Sequence, residues 1–263
     1  MRFLFITDNP EIADYVVARG VDRIMVDLEI NGKEARQGHL STVISRHSLA
    51  DVARIRDAVP PGRLLVRVNP VSEVTRAEVD SVIAAGADIV MLPMYRSIAE
   101  VETFVRAVDG RARTMLLAET GAAIAAMDAI AAIDGVDEIH IGLNDLSLDL
   151  GLGFMFRPLA DGLIDAAAAA IRRTGKPFGI GGVARVDEGL LPAQFVIGEH
   201  ARLGSTAAIL SRTFHRNAGS VAEIEAEMDF AAEVAKLRAA HVVALQASGD
   251  ELAANHREVG ALV

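Results

Sequence analysis

Cysteine is absent from the 263-residue sequence. Its absence excludes disulfides, thiolate metal sites and a cysteine nucleophile, so any metal ligands must be carboxylate or histidine side chains. Long apolar runs are absent too. No stretch approaches the length of a membrane span, and the apolar run in the opening MRFLFITDNP is too short for the core of a signal peptide. We therefore expect a cytoplasmic protein with no membrane partner.

Positive charge is in short supply, and the formal net charge is -10. Such an acidic chain is poorly suited to binding nucleic acid or an anionic membrane, which favours a small-molecule ligand. The length suits one large domain with a substantial core. We therefore expect a single domain over residues 1–263.

Short runs rich in Val, Ile and Leu alternate along the chain with longer, alanine-rich amphipathic segments. This alternation is typical of repeated βα units around a parallel sheet. The predicted strands are residues 2–7, 23–29, 63–69, 88–93, 113–119, 138–143, 177–182 and 206–212. Eight such units favour a (β/α)8 TIM barrel over an open doubly wound sheet, because no GxGxxG turn follows the first strand.

An amphipathic segment, roughly residues 220–247, and a polar tail follow the eighth strand. We interpret residues 220–263 as the closing C-terminal helix of the barrel and its tail. A helix exchanged between the subunits of a homo-oligomer is the alternative.

Carboxylates stand where two predicted strands end, which is the active-site end of such barrels. Glu119 ends the fifth strand, and Asp145 follows the sixth, 26 positions later. Because that spacing is about one barrel unit, both side chains are expected at one rim, where they would repel each other without a cation between them. An oxygen-only site with few protein ligands suits Mg²⁺ or Mn²⁺. The structural alternatives are a helix N-cap for Asp145 and an ion pair for Glu119.

Two arginines are candidates for binding an anion at the same rim. Arg67, within LLVRVNP, shares a strand face with Leu65, and a guanidinium there is unfavourable unless it meets an anion. That anion is either a substrate or the protein's own Asp27 and Glu29, which stand at the end of the second strand. Arg212 stands at the rim after the eighth strand.

Residues 30–47, INGKEARQGHLSTVISRH, form the longest connection without a clear pattern of its own. Loops of this length are often lids or substrate loops, so His39 and His47 are candidates for a general base. A solvated surface loop is the alternative. His140, which lies mid-strand between two isoleucines, is expected to be a satisfied core residue. Lysine occurs only at positions 33, 176 and 236, none on a predicted strand, which argues against a Schiff-base aldolase.

Five segments carry a family resemblance: MVDLE, VRVNP, GADIVMLPM, AETGAAI and, the most specific, IGLNDLSLDLG. Together they resemble the HpcH/HpaI aldolase and citrate lyase β-subunit family, within the phosphoenolpyruvate/pyruvate barrel superfamily. The similarity covers roughly residues 2–215.

The resemblance implies a divalent metal bound by Glu119 and Asp145, with Arg67 contacting an α-keto acid or its enolate. It also implies that backbone N–H groups near Gly142, Leu143 and Asn144 bind substrate oxygens. Members of the family usually form oligomers whose subunits exchange the last helix, so a homo-oligomer is expected.

One position departs from the family pattern. Pyruvate aldolases of the family carry a histidine immediately after the glutamate of the second-strand motif, and citrate lyase relatives carry an acidic residue there. This sequence has Ile30. The proton-transfer group is therefore expected among Glu29, His39, His47 and a metal-bound water.

The leading hypothesis is a metal-dependent carbon–carbon lyase of the class II pyruvate-aldolase type, which acts on 4-hydroxy-2-oxo acids through a metal-stabilised enolate. The second is a CoA-thioester lyase of the citrate or malyl type. The third is a barrel that has lost catalysis and only binds a keto acid.

Overall fold

The computed structural model describes residues 1–30 and 47–263. Its centre is a closed barrel of eight parallel strands, each paired with its neighbours in sequence, and β8 pairs with β1 to close the ring. The strands are β1 (Arg2–Ile6), β2 (Arg23–Asp27), β3 (Leu64–Arg67), β4 (Ile89–Leu92), β5 (Arg113–Ala118), β6 (Glu138–Ile141), β7 (Phe178–Val183) and β8 (Ala207–Leu210). The predicted TIM barrel and its eight strands are confirmed.

Helices connect successive strands and continue beyond β8. Within the described residues they are α1 (Pro10–Ala18), α2 (Leu49–Ala58), α3 (Thr75–Ala84), α4 (Ile98–Val108), α5 (Gly121–Ala125), α6 (Met127–Ala131), α7 (Leu143–Asp149), α8 (Arg157–Ala160), α9 (Asp165–Thr174), α10 (Ala193–Leu203), α11 (Val221–Glu227), α12 (Phe230–Gln246) and α13 (Gly249–Leu262). No helix among them combines the length and the low polarity that crossing a bilayer requires.

Side chains alternate along each strand between the barrel interior and the layer beneath the helices. Outward residues join the large core between strands and helices, and inward residues form a separate apolar cluster. The inward cluster consists of Leu4, Met25, Leu65, Ile89, Met91, Met115, Leu117 and Ala207. The barrel interior is therefore a packed core that supports the residues at its C-terminal end.

A buried ion pair fills the opposite end of the barrel, where the strands begin. The guanidinium of Arg23 donates to the carboxylate of Glu138 at 2.6 and 2.8 Å, and both residues are 4% exposed. Arg2 and Arg113 lie 3.2 and 3.4 Å from the same carboxylate. Burial alone would raise the pKa of Glu138, but Arg23, followed by Arg2 and Arg113, holds it below its ordinary value.

The C-terminal region differs from the predicted single helix over residues 220–247 with a polar tail. The chain there forms three helices, α11 to α13, and most of the tail is helical. Side-chain caps explain the breaks. Asp229 accepts a hydrogen bond from the N–H of Ala232 at 3.0 Å and begins α12. Ser248 and Glu251 form a capping box that begins α13.

Helix α13 packs against α10 of the same chain at very close range. A Cβ added at Gly198 would lie 2.4 Å from Asn255, so the contact requires glycine. The Asn255 amide donates to the carbonyl of Phe195 and to Glu199, both at 3.1 Å. Nδ1 of His256 lies 3.1 Å from the same buried carboxylate. Polar contacts to one buried glutamate thus attach α13 to the barrel.

Replacing Glu138 by glutamine is expected to reduce the free energy of unfolding at pH 7 by about 3–5 kcal/mol, because Arg23 would be left buried without its counter-charge. A carboxyl whose pKa is depressed by folding stabilises above its unfolded pKa of about 4.3, and the contribution is lost as the pH falls through the folded pKa. The difference between wild type and Glu138→Gln should therefore shrink below about pH 4. Urea denaturation across this pH range measures both quantities.

Glu102→Gln is the matched control, because the Glu102 side chain is 50% exposed and lies 3.8 Å from Arg106. Its effect should stay within about 0.5 kcal/mol. Equal effects of the two substitutions would contradict a structural role for the buried pair.

Candidate active site

A cavity of about 200 Å³, called here the mouth cavity, opens where the strands end. Its walls come from β3, from the segments that follow β5 and β6, and from β7 and β8. Six residues predicted for the site line it together: Arg67, Glu119, Gly142, Leu143, Asn144 and Asp145. The structure thus brings the predicted metal pair and most of the predicted substrate-binding residues to one place.

Glu119 directly follows β5 and is only 3% exposed. Its Oε1 accepts a hydrogen bond of 3.2 Å from the main-chain N–H of Met94. Met94 has a φ of 53°, a left-handed conformation that costs a residue with a side chain about 1–3 kcal/mol. The strained backbone at Met94 therefore coincides with the donor that holds Glu119.

Asp145 lies in the first turn of α7 and is 6% exposed. The N-cap of this helix is Gly142, so the alternative interpretation of Asp145 as the N-cap is wrong. The N–H of Gly142 donates to the carbonyl of Ala118 at 2.9 Å, which joins the start of α7 to the end of β5. This bond places the helix turn that carries Asp145 beside the strand that delivers Glu119.

Gly142 also makes room for Glu119. A Cβ at this position would lie 3.0 Å from Oε2 and 3.1 Å from Cβ of Glu119, and 3.2 Å from Leu117. Because Gly142 has a φ of -90°, the backbone conformation suits any residue, and the need for glycine is steric. The start of α7 thus packs directly on the Glu119 side chain.

Arg67, the last residue of β3, joins the mouth cavity to a buried group of charges. Its guanidinium binds Asp27 through two N–H···O bonds of 2.8 Å and lies 3.3 Å from Glu29. Burial would lower the pKa of Arg67, but Asp27, followed by Glu29 and Glu119, raises it above its ordinary value. The predicted internal ion pair of Arg67 is confirmed, and the residue also lines the mouth cavity, while its contact with a substrate stays a prediction.

His47 lies on the far side of Asp27 from the cavity. The main-chain N–H of Asp27 donates to Nδ1 of His47 at 3.0 Å, so Nδ1 is an acceptor and the neutral ring carries its proton on Nε2. Nε2 lies 4.0 Å from Asp8. Burial lowers the pKa of His47, although Asp8 and Asp27 oppose this effect. As arranged, His47 is a neutral residue that supports Asp27.

Arg212 follows β8 and belongs to the same charged group. Burial lowers its pKa, Asp27 raises it, and neighbouring Arg67 lowers it again, so the net change is a decrease. The described lining of the mouth cavity does not include Arg212. The predicted role of Arg212 as an anion ligand therefore stays a prediction.

The position of the missing family histidine is well defined. Ile30 is 59% exposed, and its N–H donates to Oδ1 of Asn69 at 3.0 Å. The Asn69 amide in turn donates to Glu78 at 2.7 Å. The exit of β2 is thus held by main-chain and amide contacts, while the Ile30 side chain offers no proton-transfer group.

Glycines of β7 form one wall of the mouth cavity. The ladder between β7 and β8 shifts register between Gly179 and Gly182, and Gly181 has a φ of +47°. A Cβ at Gly181 would lie 2.8 Å from Leu143. The irregular strand therefore brings its backbone close to the start of α7.

His140 lies beneath this wall and is 1% exposed. Its Nε2 lies 3.0 Å from the carbonyl oxygen of Gly181, so Nε2 carries the proton. Burial lowers the pKa of His140 to about 4. The expected burial of His140 is confirmed, but the residue also lines the mouth cavity, and its Nδ1 has no hydrogen-bond partner among the described residues, so it is not the fully satisfied core histidine that was predicted.

The remaining predicted residues are not among the described lining residues of the mouth cavity. Glu29 is fully buried and lies 3.3 Å from Arg67, which lines the mouth cavity. His39 lies outside the described residues. Lys176 donates to the carbonyl of Ile133 at 2.8 Å, and Lys236 pairs with Glu233, so neither replaces a catalytic lysine at the mouth.

Other lining residues were not predicted. Leu117, Met155 and Ile209 contribute apolar surface to the mouth cavity. Leu117 and Ile209 follow from strand alternation once the barrel register is known. Met155 lies in the segment after α7, and nothing in the sequence except its apolar side chain indicated a place in the cavity wall.

Comparison with known proteins identifies relatives of this chain. The family model of HpcH/HpaI aldolase/citrate lyase matches residues 2–190. A 4-hydroxy-2-oxovalerate aldolase from Novosphingobium aromaticivorans is 28% identical over an alignment of 201 residues, which covers 65% of this chain and 71% of the relative. A hydroxypyruvate/pyruvate aldolase from Agrobacterium fabrum is 43% identical over 67 residues, a quarter (25%) of either chain.

Solved structures share the fold. An HpcH/HpaI aldolase from Desulfitobacterium hafniense has a TM-score of 0.63 at 20% identity, covering 89% of this chain and 92% of its own. The protein CitE from Mycobacterium tuberculosis, solved with magnesium and pyruvate, has a TM-score of 0.64 at 18% identity, covering 99% and 97%. At these identities the similarity establishes the architecture.

Gly142→Ala should destabilise the protein by about 1–3 kcal/mol, because the added methyl group collides with Glu119 and Leu117. The measurement is the free energy of unfolding in urea. Gly260→Ala is the matched control, since nothing lies within 4 Å of a Cβ there, and it should be neutral or stabilising by up to about 1 kcal/mol. An unchanged stability in Gly142→Ala would contradict the steric requirement.

Proposed function

This chain belongs to the HpcH/HpaI aldolase/citrate lyase family, and we propose that it is a carbon–carbon lyase of the class II pyruvate-aldolase type. Its substrates are 4-hydroxy-2-oxo acids, which it cleaves or forms with the help of Mg²⁺ or Mn²⁺. One observation carries the proposal: two buried carboxylates, Glu119 and Asp145, line a single cavity together with Arg67. A relative named as a 4-hydroxy-2-oxovalerate aldolase supports the substrate class.

The donor set fits a hard divalent cation. Carboxylate oxygens suit Mg²⁺ and Mn²⁺, and a cation between two neighbouring carboxylates reduces their mutual repulsion. Among the described residues, no cluster of three or more His, Cys, Asp or Glu side chains is arranged to hold a metal. The ion would therefore have few protein ligands, Glu119 and Asp145, and keep its other positions for water and substrate oxygens. Solved relatives of this fold contain magnesium with pyruvate or oxaloacetate.

Arg67 is suited to bind the keto acid beside the metal ligands. Its guanidinium donates to Asp27 through two N–H groups and lines the mouth cavity, where its positive charge would meet a carboxylate or enolate oxygen. Asp27 keeps the group oriented. The first N–H groups of α7, from residues 143–145, have no partner within their helix and add donors to the same wall.

The reaction then balances as a retro-aldol cleavage. The C4 hydroxyl of the substrate gives up its proton, the C3–C4 bond breaks, and the electron pair moves toward C3 to form the enolate of pyruvate. An aldehyde leaves, and C3 takes up a proton. The cation supplies Lewis-acid stabilisation of the enolate charge when bound. The protein itself holds the keto acid against Arg67 and α7. It also transfers the two protons, one from the C4 hydroxyl and one to C3.

Metal removal and carboxylate replacement test this function. Retro-aldol activity on 4-hydroxy-2-oxo acids should disappear with chelator and return with Mg²⁺ or Mn²⁺. Asp145→Asn and Glu119→Gln should each lower kcat/KM by about 100-fold or more, because part of the transition-state charge loses its counter-ion. Calorimetric titration with Mn²⁺ should show weakened metal binding in both variants.

Asp149→Asn is the matched control, since Asp149 lies on the same helix but accepts from the N–H of Gly121 at 2.8 Å, outside the mouth cavity. Activity that survives chelation would contradict the metal site. Cleavage of CoA thioesters alone would favour the citrate or malyl type of lyase. Binding of pyruvate without any turnover would favour the keto-acid-binding barrel.

The substitution His47→Gln distinguishes two roles of His47, support of Asp27 and proton transfer to the substrate. Glutamine can still accept the Asp27 N–H but cannot act as a base. Because Nδ1 of His47 is already occupied, kcat/KM should fall by less than about 10-fold, whereas loss of a general base costs about 10²–10⁴-fold. The wild-type pH profile should lack a His47 inflection at its ordinary pKa of about 6.5, since burial lowers this pKa. A larger loss would favour His47 as the general base over the other candidates, Glu29 and His39.

A further inference from the structure

A second cavity adjoins the mouth cavity and has no part in the chemistry described so far. This side pocket has a volume of about 90 Å³. It shares two lining residues with the mouth cavity, Met155 and Gly182. Gly182 has no side chain to separate the two spaces, and a Cβ there would lie 3.6 Å from the Cβ of Ser211. The two cavities are therefore neighbours at the C-terminal ends of β7 and β8.

The side pocket is neutral. Its walls are mainly apolar, with Phe156, Leu191 and Val196 buried behind its surface. Ser211 and Thr213 supply hydroxyl groups on the β8 side. No ionisable side chain is among its described lining residues. Such a surface accepts a short carbon chain and disfavours a carboxylate or phosphate, which would be buried without a counter-charge.

The wall formed by the loop after β7 is held in shape by its own contacts. Gly189 has a φ of +104°, and a Cβ there would lie 3.1 Å from Ala184 and from the Leu191 carbonyl oxygen. Arg185 lies 3.1 Å from Glu188 within the same loop. These contacts turn the chain so that Leu191 points back into the protein and is 2% exposed. The pocket thus exists before any ligand arrives.

We infer that the side pocket binds the carbon chain of the aldehyde, the half of the substrate that lies beyond the bond being broken. The inference rests on the proposed aldolase function. A keto acid bound at Arg67 and at the cation that Glu119 and Asp145 would hold would place its C3 in the mouth cavity, and the side pocket is the adjoining apolar space. The enzyme is therefore selective for short, neutral aliphatic aldehydes and for the 4-hydroxy-2-oxo acids made from them.

The size of the side pocket sets the upper limit of the chain. A volume of about 90 Å³ is small and suits a short carbon chain. Activity should rise from acetaldehyde to a chain of about three or four carbons and fall beyond that length.

In the direction of synthesis, C3 of pyruvate loses a proton, the enolate carbon attacks the aldehyde carbonyl carbon, and the new alkoxide takes up a proton. No oxidant or reductant is needed. The proton loss from pyruvate does not involve the aldehyde, so exchange of the pyruvate methyl protons in deuterated water reports on the mouth cavity alone. Aldehyde selectivity reports on the side pocket.

Two substitutions of opposite effect test the side pocket. Thr213→Trp, at an exposed position on its edge, narrows the pocket and should lower kcat/KM for butanal at least 10-fold relative to acetaldehyde. Leu191→Ala widens it and should raise kcat/KM for hexanal relative to butanal several-fold. Both variants should keep the wild-type rate of pyruvate exchange with Mg²⁺, and succinic semialdehyde, which is charged, should react poorly throughout.

Thr206→Trp is the matched control, because Thr206 is exposed at the opposite end of the barrel, and it should leave every ratio unchanged. Exchange with unaltered chain-length ratios would overturn the side-pocket assignment and leave the aldolase function intact. Absence of exchange and of aldol activity in the wild type would overturn both. If Leu191→Ala does not fold, the exposed Thr213→Trp variant decides the question.

Discussion

The guanidinium of Arg67 is the contact on which the arrangement of the barrel mouth depends. It binds Asp27 across the β2–β3 pair and lies beside Glu29. Around Asp27 stand His47 and Arg212, so removal of this one cation would leave two buried carboxylates to rearrange their neighbours. The same group lines the mouth cavity. A structural ion pair and a place in the cavity wall therefore go together for Arg67, since the pairing fixes the orientation of its guanidinium.

Much of this architecture follows from patterns that a sequence displays directly. Alternation of apolar residues with period two indicates the strands. The C-terminal ends of those strands lie at one end of a barrel, whatever the sequence of the loops. For that reason Glu119 and Asp145, each placed where an apolar run ends, were predicted to share a rim, and they line one cavity. Arg67 was predictable for a related reason, because a guanidinium on a buried strand requires a carboxylate nearby.

Other features depend on backbone geometry and on glycines that make room for a neighbouring side chain. The types of residue in the sequence say little about either. The register shift between Gly179 and Gly182 depends on how β7 meets β8, and the role of Gly142 on a contact with a residue 23 positions earlier. The acceptor state of His47 is set by one main-chain N–H. The single helix predicted over residues 220–247 failed because apolar periodicity hid the caps at Asp229 and Ser248. In each case the deciding interaction joins groups that no local pattern connects.

Met94 illustrates how such a contact behaves during evolution. The donor that it presents to Glu119 is a main-chain N–H, which every residue except proline possesses. Side chains could therefore change freely at position 94 while the carboxylate kept its partner, and asparagine or glycine would even relieve the left-handed backbone. A position essential to the geometry of the centre would then look unconstrained among homologues. Conservation would underestimate the part of this site that is built from the chain itself.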